Sequence, residues 1–176
     1  MNTAATPQET QVIYQERQWV PWYWWLLAAA LVALIAVQLA HNRNFWWGLI
    51  PGVVLGLVAA WVLINWSSTR LRVELDADGT RWLLAEKATL PADVVSRSVA
   101  VPKSAKKNAM GRQLDPAAFI VSHGWVRDMV MLVLDDPADP TPYWLLSCKD
   151  PAGLLRALVP EQAEEALVNM PAKDRA

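Results

Sequence analysis

Full charges are scarce in the first third of this chain. Between residues 20 and 66 the only fully charged side chain belongs to Arg43. The uncharged runs are residues 21–40, which number 20, and residues 45–66, which number 22. About 20 apolar residues in a helix cross the roughly 30 Å hydrocarbon core of a bilayer. Because soluble core helices rarely run so long without a charge, the two runs predict two membrane-spanning helices.

Cysteine, net charge and glycine-rich loops are also in short supply. The single cysteine, Cys148, excludes a disulfide within the chain. The net charge of −1 gives no overall field that would favour nucleic acid or an acidic substrate. No glycine-rich phosphate loop of the Walker or dinucleotide type occurs among the 7 glycines. No cofactor and no nucleic-acid partner are therefore expected.

Tryptophan, in contrast, is plentiful, and it collects at the ends of the two apolar runs. The segment that links the runs, HNRN at residues 41–44, is long enough only for an antiparallel turn. Tryptophan rings settle at the headgroup level of a membrane. The rings that would mark the two interfaces are Trp22, Trp24 and Trp25 at the first entry, Trp46 and Trp47 at the far side, and Trp61 and Trp66 at the return. This distribution predicts a two-helix hairpin with a belt at each interface.

Basic residues near the spans indicate the orientation. Arg17 precedes the first span, Arg70 and Arg72 follow the second, and Arg43 lies in the turn. Loops on the cytoplasmic side carry an excess of Lys and Arg. The sequence thus predicts a multi-pass protein of the cell (inner) membrane with both termini in the cytoplasm.

Three glycines, Gly48, Gly52 and Gly56, recur at every fourth position of the second span. Small residues on one face let helices approach closely in lipid. The preferred interpretation is packing within the hairpin, and the alternative is a homo-oligomer formed through the same face. Because the spans carry almost no polar side chains, a channel or transporter is not expected.

The second half of the chain alternates like β-structure. Leu71, Val73 and Leu75 alternate with charged residues, and the turn DADG at 76–79 follows. Further strands are predicted within 94–101, 117–125, 128–136 and 142–148. Asp150 and Pro151 then suit the start of a C-terminal helix. The predicted fold is an α+β domain with an antiparallel sheet of about six to seven strands, capped by this helix.

Four regions follow from these patterns. Residues 1–18 are expected to be a flexible N-terminal segment. Residues 19–66 form the transmembrane hairpin, with spans at 20–40 and 45–66. Residues 67–160 form the cytoplasmic β domain. Residues 161–176 form a C-terminal helical tail with a frayed end.

Several segments carry a resemblance to a known family. They are ERQWVPWYWW, TRLRVELDADG, GRQLDPAAFIV and DDPADPTPYWLLSCKDPAGLLRAL. With these segments the chain resembles an actinobacterial family of small membrane proteins catalogued as a domain of unknown function, and the resemblance implies no activity. The β-rich part is also similar to bacterial pleckstrin-homology-like (PH-like) domains, which implies a bent sheet with a C-terminal helix. Because the first strand loop is acidic, inositol-lipid binding does not carry over.

Candidate catalytic residues are few. His123 has Ser122 beside it and Asp115 upstream, but neighbours on a strand point to opposite faces, so a catalytic triad is not expected. A structural or exposed histidine is the preferred interpretation.

The sequence signals for metal binding and for thiol chemistry are equally weak. The turn that holds Asp135, Asp136 and Asp139 lacks the further ligands of a calcium loop, so solvated aspartates are expected. Cys148 has no neighbouring histidine or CxxC partner, which favours a buried core residue over a nucleophile. No catalytic residue and no metal site are assigned.

One basic segment stands out. Lys103, Lys106, Lys107 and Arg112 fall within ten residues with no acid between them. They are candidates for contact with anionic headgroups or an acidic partner, where each cation near a charged membrane contributes about 1 kcal/mol. A solvated, mobile loop that balances the acids elsewhere is the preferred interpretation.

Together these observations predict a small integral membrane protein without enzymatic activity. It would serve as an interaction or assembly module that presents a β domain at the cytoplasmic surface, with membrane lipid and a protein as partners. The alternative is a membrane-bound enzyme or accessory subunit at the lipid face, with His123 and the aspartate turn as its candidate residues.

Overall fold

The structure is a computed structural model that describes residues 10–112, 114–137 and 139–172. The chain divides into two compact units. One unit contains residues 17–69, and the other combines the residues up to 16 with those from 70 onward.

The first unit is a helical hairpin. Helix α1 spans Trp22–Ala40 and helix α2 spans Trp46–Trp66, each within one residue of its predicted apolar run. Both helices are long and apolar enough to cross a membrane. Asn42, with a φ of 57°, lies in the turn that reverses the chain. At the open end Ser67 Oγ donates to Leu63 O at 2.9 Å and accepts the N–H of Val20 at 3.2 Å.

The second unit contains two four-stranded sheets, where the sequence predicted one antiparallel sheet of about six to seven strands. The first sheet has the order β1-β2-β3-β4, with strands Gln11–Arg17, Arg70–Leu75, Arg81–Ala85 and Ala88–Pro91. The predicted hairpin is confirmed as β2 and β3, where Leu71 pairs with Ala85 and Leu75 pairs with Arg81. Gly79 has a φ of 89° in the connecting turn, a conformation that favours glycine.

The second sheet has the order β5-β7-β8-β6. Its strands are Val95–Val101 (β5), Phe119–Val121 (β6), Asp128–Leu134 (β7) and Tyr143–Cys148 (β8), and β6 runs parallel to β8. The helices of this unit are Lys103–Ala109 (α3), Pro151–Leu158 (α4) and Pro160–Ala166 (α5), with a 3-10 turn at Ala92–Val94. As predicted, Asp150 caps α4, because its side chain accepts the N–H of Gly153 at 2.9 Å.

The main core joins inward residues of both sheets to α4 and to the segment from Ala163 to Met170. This α+β part differs from the predicted boundaries in two places. Residues 11–17, predicted to be flexible, form β1, and the segment predicted to be a tail after 160 buries Ala163, Leu167 and Met170 in the core. The frayed end predicted for the tail lies in part outside the described residues.

Candidate interaction surface

Helix α3 forms where the sequence predicted a mobile loop. Small side chains face inward from this helix: Ala105 and Ala109 pack against a cluster that contains Met129. The carboxylate of Asp128 accepts the backbone N–H of Lys103 at 2.8 Å. This bond satisfies one of the donors that a helix start leaves open, so the helix is fixed at its first residue.

Lys106 lies on the inner side of α3. Its Nζ donates to the carbonyl of His123 at 2.9 Å, to the carbonyl of Val126 at 2.6 Å and to Ser147 Oγ at 3.4 Å. Burial lowers the pKa of Lys106, and the negative charge of Asp128 opposes that shift. Three acceptors match the three hydrogens of an ammonium group. Lys106 therefore ties the helix to the segment before β7.

The remaining predicted cations lie on the outside. Lys103, Lys107 and Arg112 are exposed. Met110, one turn beyond Lys107, is 38% exposed, and Ile120 on β6 is 36% exposed. We call these five residues the α3 face. It joins three cations to two apolar side chains, a composition suited to an interface between water and a less polar phase.

A buried polar cluster lies elsewhere in the same unit. The carboxylate of Glu16, only 9% exposed, accepts the hydroxyl of Tyr14 at 2.8 Å and the thiol of Cys148 at 3.3 Å. It also accepts the backbone N–H groups of Lys149 at 2.9 Å and Asp150 at 3.3 Å. A charged carboxylate can be buried at low cost when several donors form hydrogen bonds to it. Glu16 therefore holds β1 against the residues that precede α4.

The two acids that surround this carboxylate stay protonated. Burial raises the pKa of Tyr14, and the nearby Cys148 and Glu16 add to the shift. Burial also raises the pKa of the Cys148 thiol well above its ordinary value, with a further contribution from Glu16. Since the thiolate is the nucleophilic form, Cys148 here is a hydrogen-bond donor.

Sequence reasoning did not find this cluster. Glu16 and Cys148 lie in segments that carried the family resemblance. A family model matches residues 13–158. The chain belongs to this family, described as protein of unknown function (DUF3093). No curated protein and no solved structure matches the chain. In this DUF3093 chain the matched region holds both the cluster and the α3 face.

His123 and Ser122, for which a catalytic triad was not expected, make structural contacts in this DUF3093 chain. The backbone N–H of His123 donates to Ser147 Oγ at 3.0 Å. The imidazole ring of His123 lies 4.8 Å from the ring of Trp125. Burial is the main cause that lowers the pKa of His123. Ser122 Oγ donates to Met110 Sδ at 3.2 Å.

The aspartate turn is organised by its own hydrogen bonds. Asp139 Oδ1 accepts the N–H of Thr141 at 2.9 Å, and bonds from Thr141 lower the pKa of Asp139. The N–H of Asp135 donates to the carbonyl of Val94 at 2.9 Å. Within residues 10–112, 114–137 and 139–172, no three His, Cys, Asp or Glu side chains are grouped so as to hold a metal ion.

The glycines of α2 are not equivalent. A Cβ on Gly48 would stand 2.7 Å from the carbonyl oxygen of Ala36 and 2.7 Å from the Cβ of Ala40. One on Gly52 would stand 3.1 Å from the Cβ of Ala36, whereas no described atom lies within 4 Å of the corresponding position on Gly56. Gly48 and Gly52 thus allow α1 and α2 to approach within the hairpin, and Gly56 is not needed for that contact.

Proposed function

We propose that this protein is an integral membrane protein with two spans, and that its β domain serves as a non-enzymatic interaction or assembly module at the membrane surface. Both termini lie in the cytoplasm in this proposal. The two sheets and the following helix α4 are compatible with the similarity to PH-like domains.

The observation that carries the proposal is the apolar surface of the hairpin. Helix α1 has no buried residue, and α2 buries only Gly48 and Leu63. Trp22 is 73% exposed and Leu57 is 68% exposed. A soluble monomer rarely leaves so large a contiguous apolar patch in water. In lipid the apolar side chains of the hairpin are no longer exposed to water. Each helix also satisfies its own backbone hydrogen-bonding groups there.

The module part of the proposal is supported by the α3 face. Lys106 holds the helix rigidly, so that the three exposed cations and two apolar side chains are presented by a fixed scaffold. Such a surface suits recognition, because little backbone freedom remains to be lost on contact. The Tyr14–Glu16–Cys148 cluster supports the same assignment, since its groups are occupied with one another.

Extraction and labelling of the full-length protein test the proposal. The chain is expected to stay with membranes in alkaline carbonate and to require detergent for release. For orientation, a cysteine replaces the exposed Ala77 in the β2–β3 turn. An impermeant maleimide should label Ala77→Cys only after the cells are permeabilised, and the parent chain, whose Cys148 is buried, supplies the background. Release without detergent would refute the membrane assignment, and labelling in intact cells would refute the cytoplasmic placement.

A further inference from the structure

We propose that the α3 face binds the phosphate groups of anionic membrane lipids, with Met110 and Ile120 placed in the interfacial layer. This inference rests on the proposed function, because it requires the hairpin to hold the β domain at a bilayer. It also excludes Lys106 from the contact, since its ammonium group is bonded to protein carbonyls.

Helical spacing brings the relevant side chains together. Lys103, Lys107 and Met110 follow the i, i+4, i+7 pattern of one helix side. Met110 Sδ accepts the hydroxyl of Ser122 at 3.2 Å, which places its side chain beside the end of β6, two residues after Ile120. Two of the cations and Met110 thus share one side of the helix, and Met110 lies beside the end of the strand that carries Ile120.

The charges around this surface favour an anion. Asp115 is the first acid after the α3 face in sequence, and Asp128 is hydrogen-bonded to Lys103. The carboxylate of Asp115 accepts the backbone N–H of Ala117, and that of Asp128 accepts the backbone N–H of Lys103, each at 2.8 Å. Arg127, which precedes Asp128, is exposed and adds a fourth cation at this end of the domain. The four cations of this region thus outnumber Asp115 and Asp128.

Lipid fits the surface better than an acidic protein for two reasons. A basic surface that also exposes apolar side chains matches the headgroup and acyl boundary at once. In addition, only residues 67–69 separate the end of α2 from the start of β2, so a membrane-inserted hairpin keeps headgroups at a high effective concentration.

The test uses the full chain in nanodiscs of phosphatidylcholine, with or without phosphatidylglycerol at about one part in three. An environment-sensitive dye on Asn108→Cys, an exposed position of α3, reports contact with lipid. Emission should be stronger and blue-shifted in the anionic discs, and salt at about 1 M should reverse the difference. The parent chain, labelled in parallel, gives the background from Cys148.

Charge removal identifies the surface responsible. K103Q/K107Q/R112Q should abolish the lipid dependence, with each cation contributing about fivefold to the ratio of bound to unbound domain. The matched control K87Q/R97Q/R156Q removes three exposed cations elsewhere in the unit and should preserve it. Met110→Ser should weaken the blue shift without removing the salt dependence.

Two results would overturn the inference. One is equal emission in neutral and anionic discs, which would assign the α3 face to an acidic protein. The other is an equal loss in the matched control, which would indicate attraction by the net charge of the domain. Either result, from a chain that still requires detergent for extraction, would leave the proposed membrane module intact.

Discussion

Replacement of Glu16 by alanine probes the buried cluster most directly. In the folded chain the carboxylate accepts the N–H groups of Lys149 at 2.9 Å and Asp150 at 3.3 Å, together with the hydroxyl of Tyr14 and the thiol of Cys148. Alanine removes the carboxylate that accepts all four of these bonds. Two backbone donors ahead of α4 and two side-chain donors would lose their shared partner.

The magnitude follows from the number and kind of these bonds. A hydrogen bond to a charged group contributes about 1.5–3 kcal/mol, and a buried donor left unsatisfied costs about 1–3 kcal/mol. Because the four donors share one carboxylate, their contributions do not add. We expect Glu16→Ala to lower the free energy of unfolding of the β domain by about 3–5 kcal/mol, which is more than one bond to a charged group contributes and less than the sum of four. Glu16→Gln keeps the shape and one acceptor oxygen, so we expect about half that loss.

The chain carries its own reporter for this change. Cys148 is the single thiol, and it is fully buried. Maleimide labelling under native conditions therefore measures how often the cluster opens. At about 1.4 kcal/mol per tenfold change, the expected loss corresponds to labelling that is a hundredfold to a few thousandfold faster. Rates are corrected for the thiol pKa of each variant, because Glu16 helps to raise it.

The control is Gln15→Ala, which changes an exposed side chain on the same strand. Its effect should stay within about 0.5 kcal/mol. If Glu16→Ala labels no faster than Gln15→Ala, and if its thermal unfolding followed by circular dichroism is also unchanged, the carboxylate does not hold β1 in place and the interpretation of the cluster is wrong.

Three further substitutions and conditions give distinct outcomes. Lys106→Met should cost about 2–3 kcal/mol in unfolding free energy, because it removes the charged donor that bonds to the carbonyls of His123 and Val126, whereas Lys107→Met should change little in the same denaturant titration. Gly48→Val should force the helices of the hairpin apart and lower its melting temperature in detergent, and Gly56→Val should not. The pKa of the Cys148 thiol is raised on folding, so its contribution to stability is full below the unfolded pKa and falls as the pH rises above it. From about pH 9 to 10 the parent chain should lose up to about 1.4 kcal/mol more than Cys148→Ala, and equal losses would contradict the burial of the thiol.

The elements predicted most closely are those whose signal is local and long. The charge-free runs place α1 and α2 to within a residue, because twenty consecutive positions all carry the same information. The alternation after residue 70 likewise gave β2 and β3, since one face of that hairpin is buried and apolar: Leu71, Val73 and Leu83 are fully buried. Strand β4, at Ala88–Pro91, is too short for its alternation to be recognised.

Strand β1 escaped prediction for a physical reason. Its inward positions are Tyr14 and Glu16, which are polar, while the more exposed positions include Val12 and Ile13. The hydrophobic alternation that marks a strand is therefore absent. What makes Glu16 acceptable inside is a set of donors about 130 residues away in the chain, and no local pattern contains them.

The cationic segment shows the same limit. Its four basic residues were equivalent in the sequence, yet Lys106 points inward and the other three are exposed. The difference arises from the carbonyls of His123 and Val126, which a turn before β7 brings beneath the helix. Sequence spacing alone does not distinguish a lysine that binds carbonyls from one that faces solvent.

The Glu16 cluster also determines what counts as the β domain. The residues ahead of α4 need an acceptor, and the buried carboxylate needs donors, so each segment compensates the other's desolvation. A fragment that begins at residue 67 lacks β1 and would leave the N–H groups of Lys149 and Asp150 without Glu16. Because that loss is comparable to the whole stability of a small domain, such a fragment is a poor substitute for the full chain in binding experiments. The N-terminal strand therefore belongs to the β domain although the hairpin separates them in sequence.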